Sequence, residues 1–127
     1  MIVYNYEDMV IWQMSRTLVK EIYILSTDIR DFGFNSQIQR AAISIMNNIA
    51  EGFERNKYTQ DNKTFAYFLN ISFGSCGEVR SMLYVAEDLQ YIDTSKAKQL
   101  RDSCQSISRK IEALMKKLET VNIKPKM

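Results

Sequence analysis

The chain has no histidine, which removes at once the commonest general base and the commonest transition-metal ligand. A di-iron carboxylate site of the bundle type, which needs a Glu-x-x-His motif on each of two helices, is thereby excluded. Proline occurs once and glycine four times in 127 residues, against 46% hydrophobic side chains. That balance argues against disorder and for a largely helical globular chain. Cysteine is nearly as scarce. Cys76 and Cys104 both fall at apolar positions of helical patterns, where a thiol acts as a small core filler, and free thiols are expected. No apolar run of about 18 residues is present, and neither is a signal peptide, so a cytoplasmic protein with no membrane partner is expected. Nothing resembles a nucleophile, an oxyanion site or a phosphate-cradling glycine loop. The expectation is a non-catalytic protein with no cofactor and no metal.

What the chain does have is one long two-faced stretch. Ile38, Ala42, Ile45, Ile49 and Phe53 recur at helical spacing and lie within roughly 80° of one another on a helix, which makes them a core stripe. Gln37, Arg40, Ser44, Asn48, Glu51 and Arg55 follow the same rhythm about 135° away. This second stripe alternates amides, a hydroxyl and single charges, all able to hydrogen-bond a partner. It reads either as a solvated or internally bonded face, or as an oligomer seam or groove. Glu51 and Glu78 are the carboxylates expected to be partly buried, held by capping bonds or a salt bridge to Arg40.

Around that stretch the chain divides into four helices. The first is expected from Asn5, as N-cap, to Ile29, with Ile11, Met14, Leu18, Ile22, Leu25 and Ile29 as its stripe and Trp12 and Tyr23 beside it, widening the core or facing another subunit. Gly33 suggests a left-handed turn, after which Ser36 and Gln39 form a capping box. The central helix is read through Gly52 to about Arg55. A third helix, capped by Thr59, runs to about Leu89 on Phe65, Phe68 or Leu69, Ser72, Cys76, Val79, Leu83 and Ala86. Gly74 and Gly77 inside it imply close approach of another backbone, within the bundle or from a second subunit, or else a kink. The last helix starts at Thr94 or Ser95, and Ala97, Leu100, Cys104, Ile107, Ile111, Leu114, Leu118 and Val121 form a strict heptad. The predicted fold is all-α, an antiparallel up-down-up-down four-helix bundle forming one domain over residues 1–121, with a frayed tail at 122–127.

Charge is segregated along the chain. Residues 1–93 hold eight basic and twelve acidic side chains, a balance of −4, and residues 94–127 hold nine and three, a balance of +6. Candidate contacts to RNA or DNA phosphates are therefore Lys96, Lys98, Arg101, Arg109, Lys110, Lys116 and Lys117, with Arg55 and Lys57 at the end of the central helix. The same asymmetry would equally let a basic helix find an acidic partner, as in a protein-interaction scaffold that binds no nucleic acid.

Taken together, Val10-Ile11-Trp12-Gln13, the run from Ser36 to Ile45, Asn48-Ile49-Ala50-Glu51-Gly52-Phe53, Gly74-Ser75 and Glu78 resemble the four-helix bundle proteins encoded within intervening sequences of large-subunit ribosomal RNA genes. The resemblance covers nearly the whole chain. It implies an antiparallel bundle that assembles into a homo-oligomer, a five-fold ring, with a link to RNA. The accessory proteins of diversity-generating retroelements are similar in architecture, and there a basic pentameric barrel serves a reverse transcriptase and nucleic acid. In this sequence Met46 stands where the family commonly has a proline, and the net charge is only +2.

Overall fold

The computed structural model describes residues 3–123, and everything regular in them is helical. A single 3-10 turn, Tyr6–Asp8, leads into α1 (Val10–Ser26), followed by α2 (Phe32–Thr59), α3 (Asn62–Asp88) and α4 (Thr94–Ile123). α1 packs on α2 and α4, and α3 packs on the same two, so the helices form a closed square with no close approach along its diagonals. The sense of α2 against α3 is antiparallel. Ser44 meets Ser75, Ile45 meets Ser72, and Gly52 meets Phe65 and Phe68, so position falls along α3 as it rises along α2. Short links at 27–31, 60–61 and 89–93 impose this arrangement on successive helices.

The predicted stripes meet in the middle of the square. Leu18 and Ile22 from α1, Ile38, Ile45 and Ile49 from α2, Leu69, Val79 and Leu83 from α3, and Leu100, Ile107 and Ile111 from α4 are all fully buried. Each contributes about 1.5–3 kcal/mol relative to an exposed position. Trp12 is half-buried against this core with the Arg16 guanidinium 5.7 Å from its ring centroid, whereas Tyr23 is exposed. The heptad of α4 is buried through Ile111 and half-buried at Leu114 and Leu118, and the side chain of Val121 lies outside those described. Helix α4 continues to Ile123, and the rest of the expected frayed tail, 124–127, lies outside the described residues.

Several boundaries differ from the sequence reading, each for a local reason. Asn5 makes no side-chain cap, and the chain turns once as 3-10 before α1 begins. Helix α2 starts four residues before Ser36 because Asp31 caps it, its carboxylate accepting from the Phe34 N–H at 3.0 Å. Ser36 and Gln39 therefore lie inside the helix and form no capping box, and Gly33 sits in its first turn without a positive φ. Buried Phe34 and Asn35 reward the early start. The Asn35 amide donates to the carbonyls of Ser26 (3.2 Å) and Ile29 (2.8 Å), closing the end of α1 onto α2. At the other end α2 passes through Gly52 to Thr59, Gln60 adopts a left-handed φ of 53°, and Asp61, rather than Thr59, caps α3. Asp93 starts α4, its carboxylate accepting from the Lys96 N–H at 2.7 Å.

Candidate functional site

A groove of about 590 Å³ runs along the outside of the bundle between the first half of α2 and the second half of α3. Gly33, Ser36, Gln37, Arg40, Ala41 and Ser44 form one wall, and Ser75 and Glu78 the other. Helical spacing puts them there: the polar stripe of α2 leaves the core on the side of α3, so its first three members face the gap. The floor is a short hydroxyl network. Ser75 Oγ donates to Ser44 Oγ at 2.8 Å, Asn48 Nδ2 donates to the Ser44 carbonyl (2.9 Å) and hydroxyl (3.1 Å), and Ser72 Oγ donates to the Ile45 carbonyl at 2.9 Å. These bonds fix the spacing of the two helices with small residues, so the walls stand close and the groove stays shallow and wet.

The six stripe residues thus divide. Gln37, Arg40 and Ser44 line the groove, Asn48 is turned back onto its own helix, and Glu51 is drawn away by an ion pair with Arg55 at 2.9 Å. Glu51 and Glu78 are both exposed, contrary to the expectation of partial burial, because the core-facing positions of α2 and α3 are already filled by aliphatic side chains. The expected salt bridge of Arg40 is not formed either: among the described residues no carboxylate lies within ion-pairing distance of it. Lining residues that the stripe did not reveal are Gly33, Ser36 and Ser75. The signal for Ser75 was its level, since an antiparallel α3 sets it directly across from Ser44.

The glycines behave differently from one another. A β-carbon on Gly52 would lie 2.8 Å from Phe68 Cβ and 3.1 Å from Phe65 Cδ1, so this is where two helices of the bundle approach closely. At Gly74 and Gly77 a β-carbon would meet nothing within 4 Å, and both are exposed on the outer face of α3. The close approach expected there within the bundle does not occur, and α3 is continuous through both. Around them the same face carries exposed Tyr67, Ile71 and Val85.

The basic candidates do not form one surface. Arg55 pairs with Glu51, Lys57 with Glu54, Lys96 with Glu21, Lys98 with Asp102, Arg101 with Glu87 and Lys116 with Glu112. Among the described residues only Arg109, Lys110 and Lys117 of the nine have no such partner, and they lie in the second half of α4. Lys96 ties α4 to α1, and Arg101 is three-quarters or more covered, its guanidinium over the Tyr84 ring at 4.0 Å. Cys76 and Cys104 are free and buried, and burial pushes both thiols up to about 12.

The sequence matches the model of the 23S rRNA-intervening sequence protein family over residues 7–113, which includes all of α1, α2 and α3 and most of α4. The chain belongs to that family. Among solved structures it is similar to a protein of unknown function from the S23 ribosomal protein family of Bacteroides thetaiotaomicron VPI-5482, with a TM-score of 0.76 and 22% sequence identity. That match spans 84% of this chain and 99% of the other, and at such identity it establishes the shared four-helix fold. No curated protein matches the sequence. No described helix is long and apolar enough to cross a membrane.

Proposed function

We propose that this member of the family is a non-catalytic assembly unit whose copies meet along the α2/α3 face. The observation that carries the reading is the open space over Gly74 and Gly77. Two mid-helix glycines cost about 1 kcal/mol each relative to alanine, and no atom of the bundle's own fold requires them. A second copy's backbone laid on this face would require them. The surface around them supplies what such a contact needs: exposed apolar side chains at Tyr67 and Ile71 on α3, and, in the neighbouring groove, hydroxyls at Ser36 and Ser44 and an unpaired guanidinium at Arg40. A homo-oligomer, a five-fold ring among its forms, follows from repeating one such contact around an axis. The test is the mass of the chain in solution before and after leucine is placed at Gly74 and Gly77.

A second reading is favoured by Arg109, Lys110 and Lys117, whose charges are not cancelled within the described fold, and by the family's connection with intervening sequences of 23S rRNA. On this reading the assembled protein lays the second half of α4 against RNA or DNA phosphates. Binding to structured RNA and duplex DNA, measured at low and physiological salt, tests it. Phosphate contacts give a log–log salt slope of roughly −0.7 to −0.9 each, and Arg109→Glu with Lys117→Glu abolishes them. A protein partner held by apolar contacts gives no such slope.

A further inference from the structure

On the opposite side of α3 from the assembly face, a second groove of about 280 Å³ separates α3 from α4. It is lined by Arg80 and Tyr84 from α3 and by Lys98, Arg101, Asp102 and Gln105 from α4. Counting Glu87, which pairs with Arg101, three cations meet two carboxylates, so the groove keeps one positive charge in excess. Two of the cations are held in place. The Arg101 guanidinium donates to Glu87 at 2.7 Å and lies 4.0 Å from the Tyr84 ring centroid, a salt bridge and a stacking contact that fix its plane. Lys98 is anchored to Asp102 at 2.9 Å one turn along. Arg80 is half-buried, and no described carboxylate lies within ion-pairing distance of it.

From this arrangement we propose that the α3/α4 groove is a binding site for a phosphate group. The chemistry follows from the donors. Guanidinium groups offer planar pairs of N–H donors that match two oxygens of a phosphate, an ammonium adds a point charge, and the Tyr84 hydroxyl and Gln105 amide add neutral donors. Arg80 is the essential member, because its charge has no other partner. Arg101 is pre-organised by Glu87 and loses little freedom when it binds. The groove is open to solvent, so the remainder of the molecule bearing the phosphate stays outside it. Such a phosphate is either the terminal group of a small phosphorylated compound or a diester in a nucleic-acid backbone. The groove lies on the α4 side of α3, whereas the groove of the assembly reading lies on its α2 side.

The test is a ³¹P NMR titration of the full chain at constant ionic strength, one arm with inorganic phosphate and the other with a dinucleotide containing one phosphodiester. A saturable shift in the first arm alone assigns a terminal phosphate, and one in the second arm alone assigns a backbone phosphate. Arg80→Gln weakens the saturable binding about tenfold or more, the scale of a lost charge-assisted hydrogen bond. Lys98→Gln, on a largely exposed side chain that the fold does not need, weakens it severalfold. Arg109→Gln with Lys117→Gln leaves it unchanged, and helical circular dichroism is the same for all variants. A linear response in both arms overturns the proposal. So does an equal loss of binding in the Arg109 and Lys117 variant, which would mean diffuse attraction to any surface cation.

Discussion

Gly52 and Phe68 face each other across α2 and α3 with so little room that a methyl group on the glycine would stand 2.8 Å from the phenylalanine β-carbon. The obstacle is the root of a side chain and cannot swing away. Gly52→Ala therefore forces the helices apart, and that overpacking outweighs the gain of about 1 kcal/mol in helix propensity. The expected net loss is about 1–2 kcal/mol of stability, read from urea unfolding. A variant as stable as the parent would contradict the packing described.

Both turns that flank α3 close on a glutamine in the left-handed region, Gln60 at φ 53° and Gln90 at φ 60°. A side chain with a β-carbon is disfavoured there by roughly 1 kcal/mol, and glycine is not. Gln60→Gly and Gln90→Gly are each expected to raise stability by about 0.5–1 kcal/mol, once the greater freedom of glycine in the unfolded chain is subtracted. Thermal unfolding of the two single variants and the double variant checks this, and the sites are separate enough for their effects to add.

Asp31 caps α2 and also accepts the Tyr91 hydroxyl at 2.7 Å, tying the α1–α2 link to the α3–α4 link. The Phe34 N–H first, and the Tyr91 hydroxyl second, hold the Asp31 carboxyl below the usual carboxylate range. Its stabilising effect is complete above about pH 4 and is lost as pH falls through the lowered folded value. Hydrogen bonding to Asp31 holds the Tyr91 hydroxyl above its usual range. That contribution is complete below about pH 10 and is lost as pH rises through the raised folded value. Asp31→Asn keeps a capping side chain but removes the charge, and Tyr91→Phe keeps the ring edge on Phe34 at 5.3 Å. Stability measured against pH should be flatter on both the acid and the alkaline sides for each variant, because the Asp31 carboxylate and the Tyr91 hydroxyl shift one another. Unchanged slopes would mean that the contact is not formed in solution.

Cys76 and Cys104 are buried, with thiols pushed up to about 12 by the loss of water around them. Neither forms thiolate near pH 8, so a chromogenic disulfide reagent should leave the native protein untouched and titrate two thiols per chain in denaturant. Rapid modification of the native chain would show that α3 and α4 open locally.

Periodicity alone was enough for Ile38, Ala42, Ile45 and Ile49, because a core stripe is written in spacing and needs no knowledge of neighbours. The starts of α2 and α3 were less legible. Ser36 followed by Gln39 looks like a cap, but Asp31 wins because starting there also buries Phe34 and Asn35, a tertiary gain invisible in local sequence. The charges were legible only in part. Glu51 and Arg55 lie four apart on one helix and announce their pairing, whereas Arg101 and Glu87 meet only once α3 and α4 are folded together. Arg80 escaped notice for the same reason. Gly74 and Gly77 drew attention as an unexplained cost, yet the sequence gives no means of telling them from Gly52, whose space is filled by its own chain.

The assembly reading stands or falls on sedimentation velocity of the purified chain beside its Gly74→Leu, Gly77→Leu variant. The account predicts a parent species several times heavier than the 14.8 kDa chain and a variant that runs as the single chain. The variant's helical signal should be undiminished, because nothing in the bundle occupies the space the leucines enter. A parent that sediments at the single-chain mass at every concentration would contradict the account, and so would a variant that assembles as the parent does.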